Sequence, residues 1–280
     1  MKGLVFGTAG IPLATPERNT LNGISYLKKI GLGAMEIEFV RQVNIPKEKT
    51  SGIKKASQQN EILLTCHGQY FINLNSLEKE KREASIQRVL NAARIADLCG
   101  AFSLTFHSAY YMDLPADNVY LKVRESLKSI TKKLKDEGHS IRISPETTGK
   151  GTQFGTVSEL IRLAQEVEQV GICVDFSHLY SRSVGSFNTE ADFKEALTEI
   201  EKGLGREALS SMHIHLSGMH YGPKGERNHL NMKDEDNHFN YMGVLKALKE
   251  FKAEGAVISE SPNIEEDSLL MQKAYAKSPR

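Results

Sequence analysis

A single (β/α)₈ (TIM) barrel over residues 1–280 is the fold class that the sequence predicts, and three observations carry it. The chain has 280 residues, close to the roughly 250 typical of such a barrel. Eight short, mostly apolar runs alternate with longer stretches of helical period. No Pro/Gly/Ser-rich linker, low-complexity tract or internal repeat divides the chain. The competing architecture is an open doubly wound sheet, which usually carries G-x-G-x-x-G after its first strand. Here the first turn reads Gly7-Thr8-Ala9-Gly10-Ile11-Pro12 and lacks that spacing.

The predicted strands are Leu4–Gly7, Ala34–Phe39, Ile62–His67, Phe102–His107, Ile141–Glu146, Val170–Asp175, Met212–Leu216 and Ala256–Glu260. Their near-continuous apolar character suits parallel strands covered on both faces. Between them, Ile86, Val89, Leu90 and Ala93 recur on one helical face, and that helix should stop at Gly100. Val123, Leu127, Ile130 and Leu134 are spaced 4, 3 and 4 apart, again one face of a helix. Thr156-Val157-Ser158-Glu159 is a capping box, so a helix begins just before Leu160, Leu163, Ala164 and Val167.

Composition narrows the function classes. Lys and Arg total 36 against 35 Asp and Glu, a net charge of +1. Any affinity for nucleic acid must therefore come from a local basic surface. The three cysteines, Cys66, Cys99 and Cys173, form no C-x-x-C pair, which argues against a disulfide scaffold or a cysteine zinc finger and for a reducing compartment. The opening residues lack a signal-peptide pattern and no window approaches a membrane span, so a cytoplasmic protein with no membrane partner is expected. Phosphate-binding loops, the G-x-S-x-G elbow and H-E-x-x-H pairs are absent.

The informative side chains collect where the strands end. His67, His107, Glu146 and Asp175 end the third to sixth strands, with His178 three residues on. His215 lies near the end of the seventh strand and Glu260 ends the eighth. In a barrel those ends converge on the mouth where active sites sit. So many imidazoles and carboxylates together need compensation, and divalent zinc, manganese or iron supplies it. His213 shares a strand face with His215 and competes with it as a ligand. Cys66 points away from its neighbour His67; Cys99 and Cys173 read as small buried residues. His139, His220 and His238 read as solvated.

Four segments then resemble the endonuclease IV family of apurinic/apyrimidinic endonucleases. They are Cys66-His67-Gly68-Gln69-Tyr70-Phe71-Ile72-Asn73-Leu74, Phe106-His107, Pro145 to Gly155, and Gly171 to His178. They occur in the family's order and spacing between about residues 60 and 265. The superfamily also holds xylose-isomerase-like barrels. The resemblance implies two or three Zn²⁺ ions (Mn²⁺ or Fe as variants) and cleavage of duplex DNA 5′ to abasic sites by a monomer. It implies that His67, His107 and Glu146 hold the first metal. Glu146 would bridge to a second, shared with Asp175, His215 and Glu260, while His178 and His229 hold a third. Glu146 would also orient the attacking water, so it is the implied catalytic residue. Tyr70 and Phe71 match residues that wedge into the DNA stack.

The chain departs from the family in three places. The third-metal motif D-x-H falls on Gly225-Glu226-Arg227-Asn228-His229. Placing His229 in register puts Arg227 at the aspartate; placing Glu226 in register puts Asn228 at the histidine. On either alignment the third set loses a ligand, a two-metal variant is expected, and Arg227 becomes a phosphate clamp for DNA. His215-Leu216-Ser217-Gly218 replaces the family's H-[IL]-N-D. The loop Val40 to Pro46 lacks its N-q-R-q-W segment, although Arg41 lies there. Two alternatives follow: a metal-dependent sugar isomerase or epimerase on the same barrel, and a metal-stabilised barrel that binds damaged DNA without cutting it.

Overall fold

The computed structural model describes residues 3–278; positions 1, 2, 279 and 280 of the predicted domain lie outside them. The elements run β1 (Leu4–Ala9), α1 (Thr20–Ile30), β2 (Ala34–Glu38), α2 (Lys47–Asn60), β3 (Leu63–His67), α3 (Lys79–Cys99) and β4 (Ser103–Phe106). A two-residue β5 (Ala109–Tyr110) precedes α4 (Ala116–Asp136), β6 (Arg142–Pro145), another two-residue β7 (Gln153–Phe154), α5 (Val157–Glu166) and β8 (Cys173–Asp175). Then come α6 (Phe176–Arg182), α7 (Glu190–Leu204), α8 (Arg206–Leu209), β9 (Met212–Leu216), β10 (Gly218–Gly222), β11 (Gly225–Leu230), α9 (Tyr241–Glu250), β12 (Gly255–Ser259) and α10 (Glu265–Lys277).

Eight strands pair in parallel in the order β6-β4-β3-β2-β1-β12-β9-β8. The bridges Ile143↔Val170 and Glu146↔Cys173 bring β6 against β8 and close the ring. This is the predicted (β/α)₈ barrel. Its main apolar core lies between strands and helices: Val123, Leu127, Ile130 and Leu134 of α4 are all fully buried there, as their spacing predicts. Gly100 caps α3 at φ 86°, and the capping box of Thr156 and Glu159 opens α5.

Differences from the predicted strands fall at the ends. β4, β6 and β12 stop one residue early, so His107 and Glu260 stand just past the ladder and Glu146 is held by its single bridge to Cys173. Only Cys173–Asp175 of the sixth predicted run is regular strand, because its first half meets β6 through a single bridge at Val170. Three further features lack a run long or apolar enough to predict: the β5–β7 ribbon and the β10–β11 hairpin, both over the mouth, and the short α8. Among the described residues no helix is long and apolar enough to cross a membrane.

Candidate metal centre

Alternation along a strand sends every second residue into the barrel. The pairs Glu36/Glu38, Thr65/His67, Ser144/Glu146, Cys173/Asp175 and His213/His215 are each two apart, so each strand contributes to two tiers. The upper tier is the cluster expected from the sequence. His67 Nε2 and His107 Nε2 lie 3.5 and 3.4 Å from Glu146 Oε2. His215 Nδ1 lies 3.1 Å from Glu146 Oε1 and 3.4 Å from Glu260 Oε1. Asp175 Oδ2 is 3.3 Å from His178 Nδ1.

These atoms fall into three compact sets, each with its ligating atoms within 4.8 Å of one another: His67–His107–Glu146, Glu146–Asp175–His215–Glu260, and His178–Glu226–His229. Glu146 belongs to two of them. All eight metal-ligand candidates read from the sequence are thus assembled, and Glu226 joins them.

Glu226 corrects the expectation that the third set is short of a ligand. The β10–β11 register shifts between His220 and Tyr221: His220 faces Asn228 and Tyr221 faces Glu226. Arg227 is therefore the extra residue of a β-bulge, and a bulge changes which face the following residues point to. Glu226 and His229, three apart, so share a face, which no ungapped alignment of a D-x-H motif can represent. Arg227 points away, exposed, against Gly222. Gly149 makes the approach possible: a Cβ there would sit 2.7 Å from both Cβ and Oε2 of Glu226. Gly225, at φ +95°, lets the hairpin turn onto Gly149, whose carbonyl accepts the Glu226 amide at 2.9 Å.

Several rings are oriented by their second nitrogen. Gly68 O lies 2.7 Å from His67 Nδ1, Thr147 O 2.9 Å from His178 Nδ1, and Glu260 O 3.1 Å from His229 Nδ1. A backbone carbonyl holds the Nδ1–H tautomer and leaves Nε2 free to ligate. Glu146 Oε2, Asp175 Oδ2, His178 Nε2 and Glu260 Oε2 are buried without a hydrogen-bond partner. Orphaned nitrogen and oxygen donors that converge in this way fit divalent cations.

The electrostatics agree. Burial alone would raise Glu146, yet the His215 and His107 imidazoles hold it well below the usual carboxylate range. Burial alone would depress His67, but Glu146, with Glu38 and Glu36, raises it to about 10. Asp175 is pushed up to about 6 by burial. The carboxylates that raise these imidazoles would attract a divalent cation in the same way.

Sequence reasoning passed over the lower tier. Glu36 is fully buried, with His213 Nε2 2.7 Å from its Oε2; His213 therefore does not displace His215 from the upper set. Glu38, two residues on, has a buried Oε1 with no partner. Burial, then Glu36, raises its carboxyl to about 8. The signal was the charged alternation Glu36-Ile37-Glu38 within an apolar strand. Cys173 is buried as expected but faces inward, grouped with His213 and His215. His139 is not simply solvated: its Nδ1 lies 2.9 Å from Asp97. His220 and His238 are exposed. At the rim, Tyr70 and Phe71 are each 64% exposed.

A family model described as xylose isomerase-like TIM barrel matches residues 24–277. The chain belongs to that family. An uncharacterized protein of Methanocaldococcus jannaschii is 40% identical over 272 residues, 97% of each chain. A probable endonuclease 4 of Campylobacter hominis is 23% identical over 168 residues, covering 59% of this chain and 58% of that one. Among solved structures, endonuclease IV from Thermus thermophilus aligns with TM-score 0.70 at 17% identity, covering 96% and 97% of the two chains. A D-tagatose 3-epimerase-like protein aligns with TM-score 0.71 at 18% identity over the same shares. At these identities the two structures establish a common fold. The resemblance to endonuclease IV read from the sequence stands, with this chain as a divergent member.

Proposed function

We propose that this barrel is a metal-dependent phosphodiesterase that incises duplex DNA at abasic sites. The observation that carries the reading is the chain of three ligand sets, two of them joined through Glu146, at a mouth rimmed by Tyr70 and Phe71. Bound divalent ions would supply Lewis acidity and a water of lowered pKa. His67, His107 and Glu146 would hold one ion, Glu146, Asp175, His215 and Glu260 a second, and His178, Glu226 and His229 a third. The Glu146 carboxylate, fully buried between two sets, holds its two oxygens toward different histidines and so orients the centre. Tyr70 and Phe71 present their rings outward, available to stack on bases opposite an extruded sugar. Arg227, exposed on the bulge and facing away from the third set, would clamp a flanking backbone phosphate.

The test is incision of an abasic duplex by zinc-loaded protein, with loss of cutting in chelator. Fully metallated protein that leaves abasic DNA intact overturns the assignment. The complete third set removes the motive for a non-cutting DNA-binding barrel. A sugar isomerase or epimerase keeps one supporting observation: Glu38, with its carboxyl at about 8, can hold a proton at neutral pH beside the upper tier. Interconversion of aldoses and ketoses, lost in Glu38→Gln, would favour that reading instead.

A further inference from the structure

We propose that Glu36 is a positioning residue that fixes His215 as a metal ligand, an inference that rests on the metal-centre reading above. The His215 ring is fully buried and faces two tiers at once. Its Nδ1 lies in the second ligand set, 3.1 Å from Glu146 Oε1. Its Nε2 points down, 3.0 Å from Glu36 Oε1 and 3.2 Å from His213 Nε2. A neutral imidazole carries one proton, so ligation through Nδ1 places that proton on Nε2. It then requires an acceptor in a dry interior.

Glu36 is arranged to be that acceptor. Its Oε2 is already engaged by His213 Nε2 at 2.7 Å and by the Thr65 hydroxyl at 3.0 Å. Its Oε1 is buried without an aligned hydrogen bond. His213 is held from its other side, with Nδ1 3.1 Å from Ser103 Oγ, which in turn lies 2.8 Å from Ser144 Oγ. Thus one carboxylate serves two imidazoles, one oxygen each, and only Oε1 remains for the His215 proton. A carboxylate behind a ligating histidine sets the tautomer, stops ring rotation and makes the metal-facing nitrogen more basic.

The same residues could instead be read as a further ion site, since Cys173, His213 and His215 also lie within ligating distance of one another. Geometry argues against it. Two donors about 2.0 Å from a tetrahedral zinc stand roughly 3.3 Å apart, a spacing that the 3.2 Å between His213 Nε2 and His215 Nε2 allows, but His213 Nε2 is already engaged 2.7 Å from Glu36 Oε2. That is the separation of a charge-assisted hydrogen bond.

The experiment titrates wild type, Glu36→Gln and Glu36→Asp with Zn²⁺ against a chromophoric chelator, and records imidazole ¹⁵N spectra of the zinc-loaded proteins. Gln keeps the shape but offers one acceptor oxygen to two N–H groups; Asp keeps the charge and retracts it. One zinc per chain should bind about 10–100-fold more weakly in Glu36→Gln, with an intermediate loss in Glu36→Asp. Zinc at His178, Glu226 and His229 should bind as before, and the His215 Nε2–H signal should move. Thermal melts in chelator guard against a variant that has lost its fold, in which case Glu36→Asp carries the comparison. Unchanged affinity in both variants overturns this proposal alone. The outright loss of one zinc from the wild-type count, with the His215 signal unmoved, would identify the lower tier as an ion site and overturn it too. A wild-type chain that binds no zinc overturns the metal-centre reading, and this inference with it.

Discussion

At the mouth of the barrel, Glu146 and Asp175 are fully buried among histidines, with several lone pairs left unsatisfied. At the floor, Arg142 lies largely buried across the ring of Phe102, 5.3 Å from its centroid, and donates to Ser211 Oγ at 2.8 Å. Above it sits a small apolar plug of Ala34, Ala256 and Ile258 with Val5 and Leu63. A cavity of about 300 Å³ opens beside Arg142, lined by Gly171, Glu207 and Ser211 among others. Both ends bury charge, but differently. The floor holds one cation against neutral acceptors and an aromatic face, with its Nε alone left unpaired. The mouth concentrates both signs of charge with more donors and acceptors than its own hydrogen bonds use. Unused capacity that converges from several residues marks a binding centre; one leftover guanidinium nitrogen does not.

Glu146→Gln should break the mouth most severely. Removing the carboxylate shared by two sets should lower the zinc count per chain by at least one and reduce incision by about 10²–10³-fold or more, the scale of losing one preorganised electrostatic group. Atomic-emission metal analysis and a turnover assay on abasic duplex check this; wild-type values for both would sink the role of Glu146.

Phe71→Ala and Tyr70→Ala should each weaken binding of abasic duplex by about 1–3 kcal/mol, the range for one base–aromatic stack. Because both side chains are exposed, unfolding free energies from denaturant titration should stay within about 0.5 kcal/mol of wild type. Equal affinity in titrations with labelled duplex would remove these rings from the DNA interface.

Gly149→Ala tests the hairpin. The added methyl would collide with Glu226, costing about 1–3 kcal/mol of stability as overpacking does. It should selectively empty the set of His178, Glu226 and His229. A third zinc bound with wild-type affinity would show that the hairpin is not needed to complete that set.

A pH series separates the ends further. His67 is raised from an ordinary 6.5 to about 10. In chelator its contribution to stability is fully present below about 6.5 and is lost as pH rises through about 10. With zinc bound the ligating ring is neutral, so that decline should vanish and zinc affinity should rise with pH. Melting temperatures at both ends of the window, with and without zinc, check the sign. The smallest functional effect is expected at the floor: Arg142→Met should change stability by about 0.5–3 kcal/mol while zinc count and incision stay unchanged.

Much of this was legible in the chain. Parallel strands announce themselves as short apolar runs, and the residues that end them, from His67 to Glu260, follow from the strand positions. Glu36 and Glu38 were legible in principle through two-residue alternation, but their partners were not. Thr65, Ser103 and His213 belong to other strands, and nothing local ties them to Glu36.

The sequence by itself determined the barrel, its direction and which histidines and carboxylates end the strands at the mouth, because strand period and strand termination are local properties of the backbone. Only the tertiary structure decided that Glu226 and His229 face the same way, that Gly149 admits them, and that Glu36 divides its two oxygens between two histidines. Those outcomes depend on a bulge, a close backbone approach and contacts across the ring. Each is set by how distant segments pack, which spacing along the chain does not encode.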